Sequence, residues 1–184
     1  MRTVDRGRGG MSPLPRNPSR RRRPRGVVDT SVLVAGISGF RRPKPDPDNP
    51  SAAVLRRWVD RRSFAWLVSA DIVDEYREVL TRLGVSRATV GRVLNLLAED
   101  AELIPETVSL GISPDPGDEP FCSCAEAGHA DFIVTLNPQD FPQDRLQARV
   151  IAPGAPLPSR SQGARPSARE TNRPVRRVDR ARRS

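Results

Sequence analysis

The sequence predicts an α/β domain built on a parallel sheet covered by helices on both faces. Two observations predict it. Short apolar runs alternate with amphipathic segments of helical period through the middle of the chain. Such alternation is the pattern of strands joined by helical crossovers, which makes the sheet parallel and buries both its faces. Finally, acidic residues stand near the ends of these elements, and a sheet of this kind gathers its site at the C-terminal ends of its strands.

The elements follow in order. Gly26-Val27-Val28-Asp29 reads as a short buried strand, and Thr30-Ser31 as the cap of a helix running through Ile37. A polar, Pro-rich loop covers residues 39–50. Ser51 then opens a helix with Val54, Leu55, Trp58 and Val59 on one face. Phe64 to Val68 is a second strand. Ser69 caps a periodic helix with Ile72, Val73, Tyr76, Val79, Leu80 and Leu83 inward, ended by Gly84. Ser86 caps another, with Val90, Val93, Leu94 and Leu97 inward. Leu103 to Val108 reads as a strand despite Pro105. Asp118 begins a helix ending near Gly128. Asp131 to Leu136 and Ala148 to Ala152 are the last strands.

Charge divides the chain into three parts. The formal net charge of the 184 residues is +9, which at first points to a nucleic-acid or membrane-surface binder. Residues 1–26 carry +8 and residues 154–184 carry +7, which leaves −6 on residues 27–153. The foldable part is acidic, and the basic character belongs to the ends. Segments 1–25 and 154–184 are rich in Arg, Pro, Gly and Ser and hold too little apolar surface to offset the entropy of ordering, so they read as disordered tails. Residues 26–153 form the expected domain, long enough for a sizeable core.

Other chemistry is excluded in turn. Cys122 and Cys124 make no disulfide framework, and lying two apart on a helix they do not share a face. His129 is the only histidine, and with no suitable pair of cysteines no zinc site is expected; at a helix end it reads as a packing or dipole residue. Trp58, Trp66 and Tyr76 read as core. No apolar run is long enough for a membrane span, and the basic N-terminus lacks the apolar stretch of a signal peptide, so no membrane association is expected and the cytoplasm is the default.

What remains is an acidic constellation. Asp29 ends the first strand, Glu75 lies beside the apolar stripe of its helix, Asp118 stands at a helix start, and Asn137 and Asp140 follow a later strand. Each alone has an ordinary reading: a helix cap for Asp29, a solvated helix residue for Glu75, a helix-dipole partner for Asp118, a turn residue for Asp131, a loop acid for Asp140. Converging from different elements, they supply the oxygen ligands a hard divalent cation needs. Such an ion activates water and stabilises charge on a phosphodiester.

The stretches VVDTSVLVAGI, SADIVDEYREVLTRLG and DPGDEPFCSCAEAGHADFIVTLNPQDF together resemble the successive motifs of the PIN-domain family, most closely the toxin components of toxin–antitoxin systems. The resemblance spans roughly residues 25–153 and implies a three-layer α/β/α sandwich around a central parallel sheet. It implies Mg²⁺- or Mn²⁺-dependent cleavage of RNA, usually endonucleolytic. Asp29, Glu75 and Asp118 match the family's three principal acids. Thr30 and Ser31 match the small polar pair after the first acid, and Thr135 the hydroxyl residue before the fourth position; Asp131 is a further supporting candidate. The fourth acidic position falls on Asn137, so the ligand set leans on that amide or on Asp140. The chain also lacks the expected closing helix after its last strand. A small antitoxin protein and a homodimer are the partners the resemblance implies, with RNA as substrate.

Two other readings compete. Phosphoaspartyl hydrolases and receiver domains also end a first strand in Asp, but they need a cation at a later strand end, and the only lysine is Lys44, in a loop. The second Asp expected two residues after Asp29 is Ser31, and that class is rejected. The stronger rival is a catalytically inactive PIN-like module that binds RNA or protein.

Overall fold

The computed structural model describes residues 23–40, 48–105 and 108–158. The two tails beyond these bounds and most of the Pro-rich 39–50 loop lie outside the described residues.

Among the described residues, five strands form one parallel sheet in the order β3-β2-β1-β4-β5. These are β1 (Arg25–Val28), β2 (Ala65–Val68), β3 (Glu102–Leu103), β4 (Phe132–Val134) and β5 (Arg149–Ile151). Among the described residues, five α-helices connect them: α1 (Thr30–Phe40), α2 (Pro50–Val59), α3 (Ala70–Arg82), α4 (Arg87–Asp100) and α5 (Glu119–Ala127). The chain steps from β1 through β2 to β3 on one side, then crosses back to place β4 on the other side of β1. The strand order therefore reverses between β1 and β4, where open α/β sheets form a crevice beyond their carboxyl ends. Asp29 and Thr135 directly follow those two strands.

Helices cover both faces. Successive strand residues point to opposite sides. Trp66 of β2 meets Trp58 of α2, ring centroids 4.8 Å apart, whereas its neighbour Leu67 lies against the end of α5. That second approach is so close that a Cβ on Gly128 would stand 2.7 Å from Leu67 Cδ1. Gly128 is thus required by contact, and the left-handed residue ending the helix is His129, at φ 49°. The same logic places Gly26 in β1 beneath the ring of Phe132 in β4, only 2.1 Å from where a Cβ would sit. Phe64, Trp66, Tyr76, Phe121 and Phe132 are fully buried, and their edge-on and tilted contacts run continuously through the core.

Several sequence expectations are corrected in detail. Asn49, not Ser51, opens α2: its Oδ1 accepts from Ala52 N at 2.9 Å, with Pro50 in the first turn. Ser69 and Ser86 do cap α3 and α4. Leu83 is exposed, because it ends α3 where the chain turns at Gly84. Of the strand expected over 103–108, residues 106 and 107 lie outside the described residues, and among the others the strand is Glu102–Leu103, as Pro105 denies the ladder a donor. At the other end, packing runs past residue 153: Arg57 donates to Ala155 O at 3.4 Å and Leu157 packs on the core.

Candidate functional site

Asp29 leaves β1 directly into the N-terminus of α1, 4% exposed. Its carboxylate receives Thr135 Oγ1 at 2.7 Å, the Ser31 hydroxyl, and a long contact from Ser31 N at 3.4 Å. Thr135 is fully buried just after β4, and its hydroxyl also accepts from Asn137 N at 2.9 Å. One hydroxyl thereby couples the ends of the two strands that flank the switch point. Thr30 and Ser31 do not cap α1 with their side chains. Thr30 Oγ1 donates to Glu75 Oε1 at 2.6 Å, and Ser31 serves Asp29.

Glu75 is brought to this place by α3. The next residue, Tyr76, is fully buried and its hydroxyl donates to Val28 O, the last carbonyl of β1. Burial raises the Glu75 pKa above the ordinary value; the Thr30 hydrogen bond opposes this, and the charge of Asp29 adds to it.

Asp118 stands at the N-cap position of α5 yet makes no capping hydrogen bond with its side chain. The carboxylate of a favoured capping residue is left for something else. Its pKa is pushed up to about 7, first by burial and then by the charges of Asp29, Asp140, Asp115 and Glu75. Asp29, Glu75, Asp118 and Asp140 therefore share one electrostatic neighbourhood, and no ion pair links any of them to another described residue.

The remaining expected residues separate. Asp140 is half-buried at the end of a 3₁₀ turn, Pro138–Asp140, where its charge reaches Asp118. Asn137 is exposed, with no side-chain cap bond. Asp131 lies at the opposite end of the sheet: its Oδ2 accepts from Arg25 N at 2.7 Å, at the start of β1. Cys122 and Cys124 are buried, with thiol pKa values raised to about 12, chiefly by burial.

The donors fit a hard cation in kind: all are oxygens, and like charges crowd there with no ion pair to a described residue. They do not yet converge. Among the described residues, no three Asp, Glu, His or Cys side chains are placed to hold one ion together. The hydroxyls of Thr30, Ser31 and Thr135 hold Glu75 and Asp29 instead.

Sequence reasoning missed Glu119. It looks like an ordinary first-turn acid of α5, yet it is 8% exposed and accepts from Leu110 N, Ile112 N, Ser113 N and Ser123 Oγ at 2.7–2.9 Å. Burial raises its pKa, but the four hydrogen bonds outweigh that and bring it below the ordinary value. Only its position beside a Ser one turn on, Ser123, hinted at this in the sequence.

Residues 25–139 of the 184, more than half the chain, match the PIN domain. The chain belongs to the PIN-domain family. The matched span includes Asp29, Glu75, Asp118 and Asn137 and stops one residue before Asp140. No curated protein matches the chain. Among solved structures, this PIN domain is similar to VapBC2 from Rickettsia felis bound to a DNA fragment from their promoter, at 15% identity and a TM-score of 0.47, over 70% of this chain and 98% of that one. Among the described residues, no helix is long and apolar enough to cross a membrane.

Proposed function

We propose that this PIN domain is a metal-dependent endoribonuclease, the toxin of a toxin–antitoxin pair, acting in the cytoplasm. The observation that carries the proposal is the crowding of Asp29, Glu75, Asp118 and Asp140 at the switch point, where burial first and then the charges of its neighbours raise the Asp118 carboxyl to about 7. Mutual repulsion of this kind raises the energy of the folded state, and a divalent cation relieves it. The toxin role and the antitoxin partner, like a homodimer, are supported by the resemblance of the sequence motifs alone.

In this reading Asp29, Glu75 and Asp118 hold Mg²⁺ or Mn²⁺, with Asn137 or Asp140 completing the set. A divalent ion there lowers the pKa of water and offsets charge on the phosphodiester being cut. The chain's own residues do the rest. Ser31 and Thr135 fix the Asp29 carboxylate between two strand ends, and Thr30 holds Glu75 ready beside it. The hydroxyl bonds occupy Oε1 of Glu75 and Oδ2 of Asp29, so the other oxygen of each carboxylate would face the ion, and Asp118 would give up its proton, releasing protons near neutral pH. Without the ion the acids repel RNA phosphates, which makes the divalent cation a condition of substrate approach as well as of chemistry.

The rival, an inactive module that binds RNA or protein, is favoured by the neutral Asn137 at the fourth position and by carboxylates that do not converge. Cleavage of single-stranded RNA by the purified protein separates the two. Manganese-stimulated cleavage that is absent from an Asp29→Asn variant supports the nuclease; RNA left intact at every manganese concentration supports the inactive module.

A further inference from the structure

Between α4 and α5 the chain runs through residues 110–113 before turning at Asp115 to deliver Asp118. This short segment is gripped from two sides by opposite charges. Glu119 takes its amides: Oε1 accepts from Leu110 N, and Oε2 from both Ile112 N and Ser113 N. Arg145, in a 3₁₀ turn beyond Asp140, takes its carbonyls, donating to Gly111 O at 2.6 Å and Ile112 O at 2.8 Å. Ser113 Oγ adds a third tie, to Asp140 O at 2.9 Å. The segment is thus a bridge between the start of α5, which bears Asp118, and the 3₁₀ turns, which bear Asp140.

We infer that Glu119 and Arg145 are positioning residues, which through this bridge set the placement of Asp118 against Asp140. The inference rests on the metal site proposed above. Glu119 is not itself a ligand in this scheme, although it directly follows Asp118. Its two oxygens already accept four hydrogen bonds inside the protein, and binding an ion would release the loop. A carboxylate is needed because every group aimed at it is a donor. Glutamine in its place would turn an amide NH₂ toward an N–H, and lose the charge that makes these bonds strong. Arginine is needed because two carbonyls must be reached from one planar fork; lysine offers a single point.

The test uses the full chain, with Glu119→Gln, Arg145→Lys and Arg145→Ala beside the wild type. Amide hydrogen exchange at Leu110, Ile112 and Ser113 reads the bridge itself, and Mn²⁺ alone, titrated without RNA, reads the site. The expected result is faster exchange at those three amides with the core amides unchanged. Mn²⁺ affinity should fall about 10–100-fold, as when the supporting partner of a ligand is removed. The Mn²⁺ concentration for half-maximal cleavage should rise in step, while the rate at saturating Mn²⁺ stays nearly unchanged. A merely structural role would lower the melting temperature and leave Mn²⁺ affinity intact in the folded protein. Arg145 is exposed, so its variants keep the inference testable if Glu119→Gln does not fold. Wild-type affinity in folded Arg145→Ala overturns the inference. Wild-type protein that binds Mn²⁺ but leaves RNA intact overturns the nuclease reading, while the affinity ratio still decides the positioning role. Wild-type protein that binds no Mn²⁺ overturns both.

Discussion

The Tyr76 hydroxyl, fully buried on α3, donates a hydrogen bond to the carbonyl of Val28, the last residue of β1. The residues that follow Val28 and precede Tyr76 are Asp29 and Glu75. One hydrogen bond between a helix and a strand end thus fixes two acids of the candidate site relative to each other.

Tyr76→Phe should test that bond. The change keeps the ring in its aromatic cluster and leaves the Val28 carbonyl buried without its donor, at a cost of about 1–3 kcal/mol. Urea unfolding should show a lower midpoint with an unchanged slope, and Mn²⁺ should bind more weakly. Unaltered stability would show that the hydroxyl does not hold α3 to the strand.

Asp118 makes stability depend on pH in a defined direction. Its carboxyl is raised from about 3.8 to about 7 in the folded state, so ionisation costs the folded protein more than the unfolded chain. Its contribution to stability is therefore fully present below about pH 4 and is lost as pH rises through 7. In a metal-chelating buffer, the difference in melting temperature between wild type and Asp118→Asn should widen from pH 5 to pH 8, the variant becoming relatively more stable. The same variant should lose cleavage by more than the about 10–100-fold attributed to supporting residues. An active Asp118→Asn protein would remove Asp118 from the site.

Asn137 and Asp140 give opposite results. Asp140 exerts its charge on Asp118, whereas Asn137 is exposed. Asp140→Asn should raise the Mn²⁺ concentration needed for half-maximal cleavage. Asn137→Asp should lower it, by adding a charge next to the Thr135 turn. If Asp140→Asn is mild and Asn137→Asp strongly favourable, the family position completes the site; the reverse outcome assigns it to Asp140.

Trimming residues 1–22 and 159–184 should weaken RNA binding and flatten its salt dependence. These segments carry formal charges of +6 and +7, and phosphate contacts set the slope of affinity against salt. The cuts spare Pro24, whose carbonyl accepts from Ala65 N, and Leu157, which packs on the core, so the melting temperature should hardly move. A large drop would mean that a trimmed segment packs on the domain.

The sequence exposes what is local and periodic. Buried parallel strands are continuous apolar runs, so β1, β2 and β4 stand out, and Ser69 and Ser86 announce α3 and α4 by capping. Asp29, Glu75 and Asp118 stand out because each sits at a fixed place on an element that the pattern already locates. What stays hidden depends on partners distant in sequence. Ser31 looks like a cap until its hydroxyl is seen donating to the Asp29 carboxylate, and Asp131 looks like a site acid until it is seen bound to Arg25, at the far end of the sheet. Glu119 and Arg145 meet through a loop with no period at all, so neither propensity nor spacing marks them.

The central claim is that Asp29, Glu75 and Asp118 hold a divalent ion. A crystal of the protein soaked in Mn²⁺ and measured near the manganese absorption edge tests it most directly. The expected result is an anomalous peak in contact with all three carboxylates. No peak at these carboxylates, at a Mn²⁺ concentration that supports cleavage in solution, would contradict it.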